Sequence, residues 1–366
     1  MTRSRFFVLS VFATLSFVIA ASFFSGAQVP AHKIIKFNVP GAGTSSGQGT
    51  IPFGILADGT TLGWYIDSST VYHGFLRSPA GTITTFDDPL AATGSGQGTF
   101  PYGINSALTI VGYYLDSSGV YHGFLRSADG STYTPIDDPK AGTSAGQGTI
   151  AVDINTKGEI VGNYFDSNGA FHGYVRSPSG KLTTFDDPLA GTGSGQGTGP
   201  SGLCGLTDAG AIAGGYVDSS KVNHGFLRSP SGSFTTIDPS GSVSTNVIGL
   251  SSNETVGGYY FDSIGLFHGF VRTVGGTITS YDAPNSADTS ANNINSGGVI
   301  AGAYDDSSFV MHGYVRSPTG TFTEFSVPGA GTSSGQGTSA NESNATGEIT
   351  GNYIDSSGVN HGFLRQ

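Results

Sequence analysis

Seven times along this chain an Asp is followed six residues later by a His, and that His four residues later by an Arg. A carboxylate, an imidazole and a guanidinium are parts from which a general acid–base pair or a divalent-metal site can be built. The sets are Asp67, His73, Arg77; Asp116, His122, Arg126; Asp166, His172, Arg176; Asp218, His224, Arg228; Asp262, His268, Arg272; Asp306, His312, Arg316; and Asp355, His361, Arg365. Each Asp is preceded at two residues by a Tyr and at four by a Gly. The shared pattern is G-x-Y-x-D-S-x4-H-G-[FY]-[LV]-R, and it uses every His except His32.

An enzyme normally needs its reacting set once. Here the His residues recur at spacings of 49, 50, 52, 44, 44 and 49, which is a structural repeat. A second acid follows each set, as Asp87 follows His73, and would bring two carboxylates and an imidazole to one edge. That acid becomes Asn38 and Ser326 in two copies, so no metal-ligating trio is common to all. The pattern assigns no catalytic residue, no metal and no cofactor. It reads as a ring of structural hydrogen bonds: Asp fixing a turn, His and Arg tying neighbouring elements.

The elements that must position these residues are short strands. In the second copy they are "PYGIN" (Pro101–Asn105), "TIVGYYL" (Thr109–Leu115), "YHGFLR" (Tyr121–Arg126) and "TYTPID" (Thr132–Asp137), separated by the turn signals "DSSG" and "SADG". No convincing amphipathic helical period is present. Four strands in a repeat of this length are the signature of a propeller blade. The fold expected is all-β: a seven-bladed β-propeller with four antiparallel strands per blade. The last copy ends at "HGFLRQ" without a fourth strand, while "KIIKFNVP" (Lys33–Pro40) resembles the fourth strand "TITTFDDP" (Thr82–Pro89). The N-terminal strand is therefore expected to complete the last blade and close the ring.

Three finer expectations follow. With Ser78–Gly81 as the hairpin turn, Arg77 should pair with Thr82 and His73 should face Phe86. His, Phe and Arg of the third strand share one face, and a buried Arg there should find a carboxylate or carbonyl. The turn after Asp has Gly119, Gly169, Gly265 and Gly358 in four copies but Thr70, Lys221 and Phe309 in others, which predicts turns of more than one kind.

Net charge is −11 with 11% charged residues, which argues against a nucleic-acid partner. Arg3 and Arg5, the apolar run Phe6–Ala20 and the small residues "SGA" (Ser25–Ala27) read as a signal peptide over residues 1–27. Residues 28–366 then form the mature domain, secreted or periplasmic, with no membrane-spanning segment and expected as a monomer. The single Cys204, in "SGLCGL", reads as buried and inert. The linker "GTGSGQGT" (Gly191–Thr198) and Gly197, Gly199 and Gly202 match a phosphate-cradle spacing, but no helix follows, so nucleotide binding is rejected. Asp153, Asn293 and Glu342 replace a first-strand Gly and are expected to line the axial channel.

"YGINSALTIVGYYLDSSGVYHGFLRS" (Tyr102–Ser127) resembles the HAF family of probable extracellular repeats, whose pattern pairs a G-I-N strand, a V-V-G strand and a His-Ala-Phe strand. Gly stands here where that family has Ala after the His. The resemblance covers all seven copies and implies export and repetition, with no activity to carry over. The function expected is a non-enzymatic binding or structural scaffold for a protein or glycan. The alternative is a polysaccharide hydrolase or lyase with its site at the central channel.

Overall fold

The structure, a computed structural model, describes residues 32–201 and 205–366. The expected leader over residues 1–27 and Cys204 lie outside the described residues. Among the described residues there are twenty-eight strands and no helix. They group into seven consecutive four-stranded antiparallel units. Unit 1 pairs Gly49–Ile55, Thr61–Ile66, Tyr72–Arg77 and Ile83–Phe86 in that order. Unit 2 repeats this with Gly98–Ile104, Ile110–Leu115, Tyr121–Arg126 and Tyr133–Ile136. Units 3 to 6 begin at Gly148, Gly197, Ser244 and Asp288. Unit 7 takes Gly337–Ser343, Ile349–Ile354 and Asn360–Arg365 from one end of the chain and Ile34–Phe37 from the other, in register from Ile34↔Arg365 to Phe37↔Gly362.

A single unit buries too little to stand alone, because its apolar side chains face the next unit. The described core falls into seven clusters, each joining consecutive units. Phe53, Leu62 and Phe86 of unit 1 meet Ile110, Tyr114 and Phe124 of unit 2. Val39 and Phe37 at the end of unit 7 meet Tyr65 and Phe75 of unit 1. Full burial of a side chain such as Phe124 contributes about 1.5–3 kcal/mol.

The five long connections add main-chain bonds between units. Each ends on a Gly that bridges, in parallel, to the start of the previous unit's third strand: Gly49↔Asn360, Gly98↔Tyr72, Gly148↔Tyr121, Gly197↔Phe171 and Gly337↔Met311. Units 6, 7, 1, 2, 3 and 4 thereby belong to one 24-stranded array, whereas unit 5 is a separate four-stranded sheet. The two short connections that flank unit 5 substitute side chains. Asn223 Nδ2 donates to Thr245 O at 2.7 Å, and Phe267 N donates to Asp288 Oδ1 at 2.8 Å.

Three local expectations are corrected. The first strand of unit 2 starts at Gly98, before Pro101, because Thr99 pairs with Tyr114 inside the sheet. The hairpin after Arg77 closes with Ser78 N donating to Thr82 O, so Arg77 pairs with Ile83 and Gly74 with Phe86. The register slips by one because the loop has three residues, ending at Gly81 in the left-handed region (φ 92). The turns after Asp are alike throughout: Thr70, Lys221 and Phe309 take φ of 63, 65 and 58, and each donates its N–H to the Asp carbonyl, as Gly119 does. Tertiary packing holds three L-residues in a conformation that costs roughly 1–2 kcal/mol each.

Candidate functional site

The Asp of each repeat closes its own corner. Asp67 Oδ1 accepts from Ser69 N at 2.8 Å and Val71 N at 2.9 Å, and the same pair of bonds recurs at the other six. The second oxygen faces the imidazole: Asp67 Oδ2 lies 3.6 Å from His73 Nε2. The other ring nitrogen, Nδ1, is 3.0 Å from both oxygens of Asp87. Asp137, Asp186, Asp238 and Asp282 take that place in units 2 to 5, Ser326 in unit 6 and Asn38 in unit 7. The imidazole face is covered by the repeat Tyr, with Tyr65 and His73 rings 4.8 Å apart and nearly parallel. Each His thus stands between two partners, one per nitrogen. Among the described residues no three His, Cys, Asp or Glu side chains converge as a metal-holding group.

The surroundings shift these groups. The Asp87 bond holds His73 above the usual imidazole range, against burial. At His268 burial is the largest single influence and pulls down, but Asp282 and Asp262 together outweigh it and the pKa rises. At Asp67 burial pulls upward, and the N–H groups of Val71 and Ser69 with His73 outweigh it, so the carboxyl sits below its ordinary value. A raised His contributes stability that is complete below the imidazole's unfolded value of 6.5 and is lost as pH rises through the folded value. A lowered Asp contributes above 3.8 and loses its effect as pH falls through the folded value. The melting temperature is expected to be higher at pH 5 than at pH 8, and to fall again below pH 4. A melting curve that rises steadily to pH 8 would contradict this.

The repeat Arg meets the expected carbonyl in four units, where Nη1 of Arg77, Arg126, Arg272 and Arg316 donates to the O of the next residue at 3.4, 3.3, 3.4 and 3.4 Å, and in five units it also reaches across to an aromatic ring of the previous unit. Arg126 lies 4.6 Å over Phe86, Arg316 4.5 Å over Tyr281, Arg365 4.8 Å over Phe325, Arg228 4.9 Å over Phe185 and Arg77 5.1 Å over Phe37. Ile136 and Ile237 hold the ring's place in units 2 and 4, opposite Gly123 and Gly225, ahead of Arg176 and Arg272. A guanidinium stacks on a π face with little desolvation cost, which suits a nearly buried position.

The glycine-rich connections act as clamps. Gln97 Oε1 accepts from Gly94 N at 3.0 Å while its Nε2 donates to Asp116 O at 3.0 Å, at the corner of the unit that follows. Gly96 N donates to Thr70 O, at the corner of the unit before. Gln48, Gln147, Gln196 and Gln336 make the same loop bond, and their Nε2 donates at the same corner to a Ser carbonyl, of Ser68, Ser167, Ser219 and Ser356. The next Thr is fully buried, and its hydroxyl accepts the N–H at the end of the previous fourth strand, as Thr99 does from Asp88 at 2.9 Å. These Gln and Thr residues went unread in the sequence. Their fixed place in "GQGT" was the available signal.

Asp153, Asn293 and Glu342 each follow a β-bulge in a first strand and bond the first strand or bridge of the next unit. Asp153 Oδ2 accepts from Leu206 N at 2.9 Å, Asn293 Oδ1 from Ser343 N at 3.5 Å, and Glu342 Oε2 from Ile55 N at 2.9 Å. Asp153 and Asn293 are buried, and Glu342 is half-buried. Burial pushes the Asp153 carboxyl up to about 6, against the N–H groups that bind it.

An open cleft of about 340 Å³ lies where units 3, 4 and 5 meet. Its walls are Phe165 and Phe171, the amides of Asn163, Asn223 and Asn246, and the strand pair Gly199 and Gly215, with Pro200, Ser201 and Val247. Among the described residues no titratable side chain lines it, and the Ser201 hydroxyl is committed to Val247 O. A smaller opening of about 180 Å³ lies at units 5 and 6, beside Asp288 and Asp305.

No family model and no curated protein matches this chain. The HAF resemblance accordingly stands on its motif alone. Among solved structures the chain is similar to a puromycin hydrolase, 12% identical with a TM-score of 0.53, the match covering 85% of this chain and 50% of that one. It is similar to the BP39L lectin from Burkholderia pseudomallei, 12% identical with a TM-score of 0.47, covering 77% and 82%. A fungal lectin from Aleuria aurantia, described as a six-bladed β-propeller, matches at 14% identity and a TM-score of 0.40, covering 80% and 94%. Likeness at such identity concerns the fold alone: the chain is an all-β repeat protein of propeller type.

Proposed function

We propose that this protein is an exported, monomeric, seven-bladed β-propeller of the HAF kind, closed by strand Ile34–Phe37, and that it works as a non-enzymatic binding scaffold for a protein or glycan. Closure is supported by the bonds and packing between units 7 and 1, where Asn341 Nδ2 donates to Pro52 O and Asn344 Nδ2 to Leu56 O. Export is supported by the basic and apolar leader. The observation that carries the binding reading is the wide cleft, which among the described residues has no acid, base or free nucleophile in its walls. The acids and imidazoles of the repeat are engaged in holding corners, and Asp153 and Glu342 in bonding their neighbours.

The test is to incubate the mature protein with intact matrix polysaccharides and with cell-surface protein extracts. Retention without release of reducing ends or unsaturated products is the expected result. Product release that disappears in Asp153→Asn or Glu342→Gln would establish the hydrolase or lyase alternative instead.

A further inference from the structure

The wide cleft occupies a place that other units fill with their own side chains. In each unit one cross-strand pair sits at this position: Ile51↔Trp64, Phe100↔Tyr113, Ile150↔Asn163, Gly199↔Gly215, Asn246↔Tyr259, Ser290↔Ala303 and Ser339↔Asn352. In unit 2 the pair is two stacked rings with centroids 4.8 Å apart, and Phe100 also packs on Tyr72 of unit 1 at 4.5 Å. In unit 4 both members are glycine. Phe171 holds the place of Tyr72 and faces the space that the unit 4 ring would fill. The cleft has the place that unit 2 fills with a ring pair.

Resting on the binding-scaffold reading, we infer that this cleft takes one neutral pyranose ring of a glycan, seated against Phe171 and Phe165. A pyranose offers an apolar C–H face to an aromatic wall and a rim of hydroxyls to amides. The wall supplies such amides. Asn163 Nδ2 has no partner among the described residues, and the Asn246 amide accepts from Asn223 while its own N–H₂ makes no described bond. A purely aromatic ligand would leave these groups desolvated and unpaired. An acidic sugar would meet no cation among the described residues, because none of the lining side chains is Lys, Arg or His.

Gly199→Phe restores what unit 2 already carries. The atoms nearest a Cβ at Gly199 are those of Asn163 at 3.7 Å, an ordinary contact, so the substitution has room at the backbone. The probes are the methyl glycosides of glucose, galactose, mannose and fucose, with galacturonate as the charged control, read by saturation-transfer NMR and titration. At least one neutral glycoside is expected to bind. Gly199→Phe should weaken it about tenfold or more with the melting temperature unchanged, and Asn163→Ala should weaken it several-fold. Should Gly199→Phe fail to fold, Asn163→Ala alone decides. Glycoside binding that survives both variants, or a preference for galacturonate, overturns the cleft assignment. Retention on whole polysaccharide with no glycoside signal overturns it too, and leaves the scaffold reading standing. Absence of both retention and glycoside binding removes the glycan form of each.

Discussion

Deleting Lys33–Val39 from residues 28–366 is expected to abolish the monomer proposed above. The third strand of unit 7 would lose its partner from Arg365 to Gly362 and present an unpaired sheet edge. The damage would extend beyond those hydrogen bonds. Phe37 packs against Phe75 and lies under the Arg77 guanidinium. Val39 is buried, and its N–H satisfies the Thr50 hydroxyl, which is itself fully buried. Asn38 holds His361 Nδ1 at 3.0 Å. Removing a strand together with one of seven core clusters should cost on the order of 5 kcal/mol, comparable to the whole stability of many domains. Size-exclusion chromatography should show oligomers or aggregate, and a synthetic peptide of residues 33–39 should restore monomer in part. A deletion that stays monomeric with an unchanged urea midpoint would show that unit 7 does not need this strand.

The second large effect is expected at Gly148→Ala. Gly148 takes φ of 120, in the region L-residues avoid, and a Cβ there would sit 2.0 Å from Tyr121 O and 2.8 Å from Tyr121 C and N. All three atoms are main chain of the neighbouring unit, so no side chain can swing aside. Relief requires parting units 2 and 3 at their bridge. A loss of about 3–4 kcal/mol is expected in urea unfolding. Gly146→Ala, two residues away, is the control. Its φ is 77 but nothing lies within 4 Å of the added atom, so only the conformational cost of about 1 kcal/mol applies. Equal losses at the two positions would show that strain in φ, and not the contact with Tyr121, governs the site.

Much of the fold was legible because the repeat multiplies every signal by seven. The corner of Asp67 to His73 is local, and the chemistry of Asp at a turn start suffices to read it. The partnership of the N-terminal strand was legible from the likeness of "KIIKFNVP" to "TITTFDDP". Register was less so. Whether Arg77 meets Thr82 or Ile83 depends on where a loop residue enters the left-handed region, and composition does not say. The carbonyl partner of Arg was foreseen from its burial, whereas the ring was not, because the neighbouring unit supplies it. Only knowledge of which units adjoin reveals that Phe86 lies under Arg126. The cleft was hidden for a related reason. Gly199 drew attention as part of a phosphate-like spacing, while its meaning lies in its partner Gly215, sixteen residues on, and in the rings that stand at the same register in unit 2.

The separate sheet of unit 5 has a consequence for how the protein tolerates change. At five boundaries the bridge is main chain to main chain, and a substitution in the earlier strand leaves it intact: Tyr121 can change its side chain and still keep its N–H on Gln147 O. On either side of unit 5 the corresponding bonds belong to one amide, Asn223, and one carboxylate, Asp288. A single base change can erase either. Drift in the earlier strand is therefore buffered at five boundaries by the backbone, where only the bridging glycine is fixed, whereas around unit 5 the same role falls to two side chains.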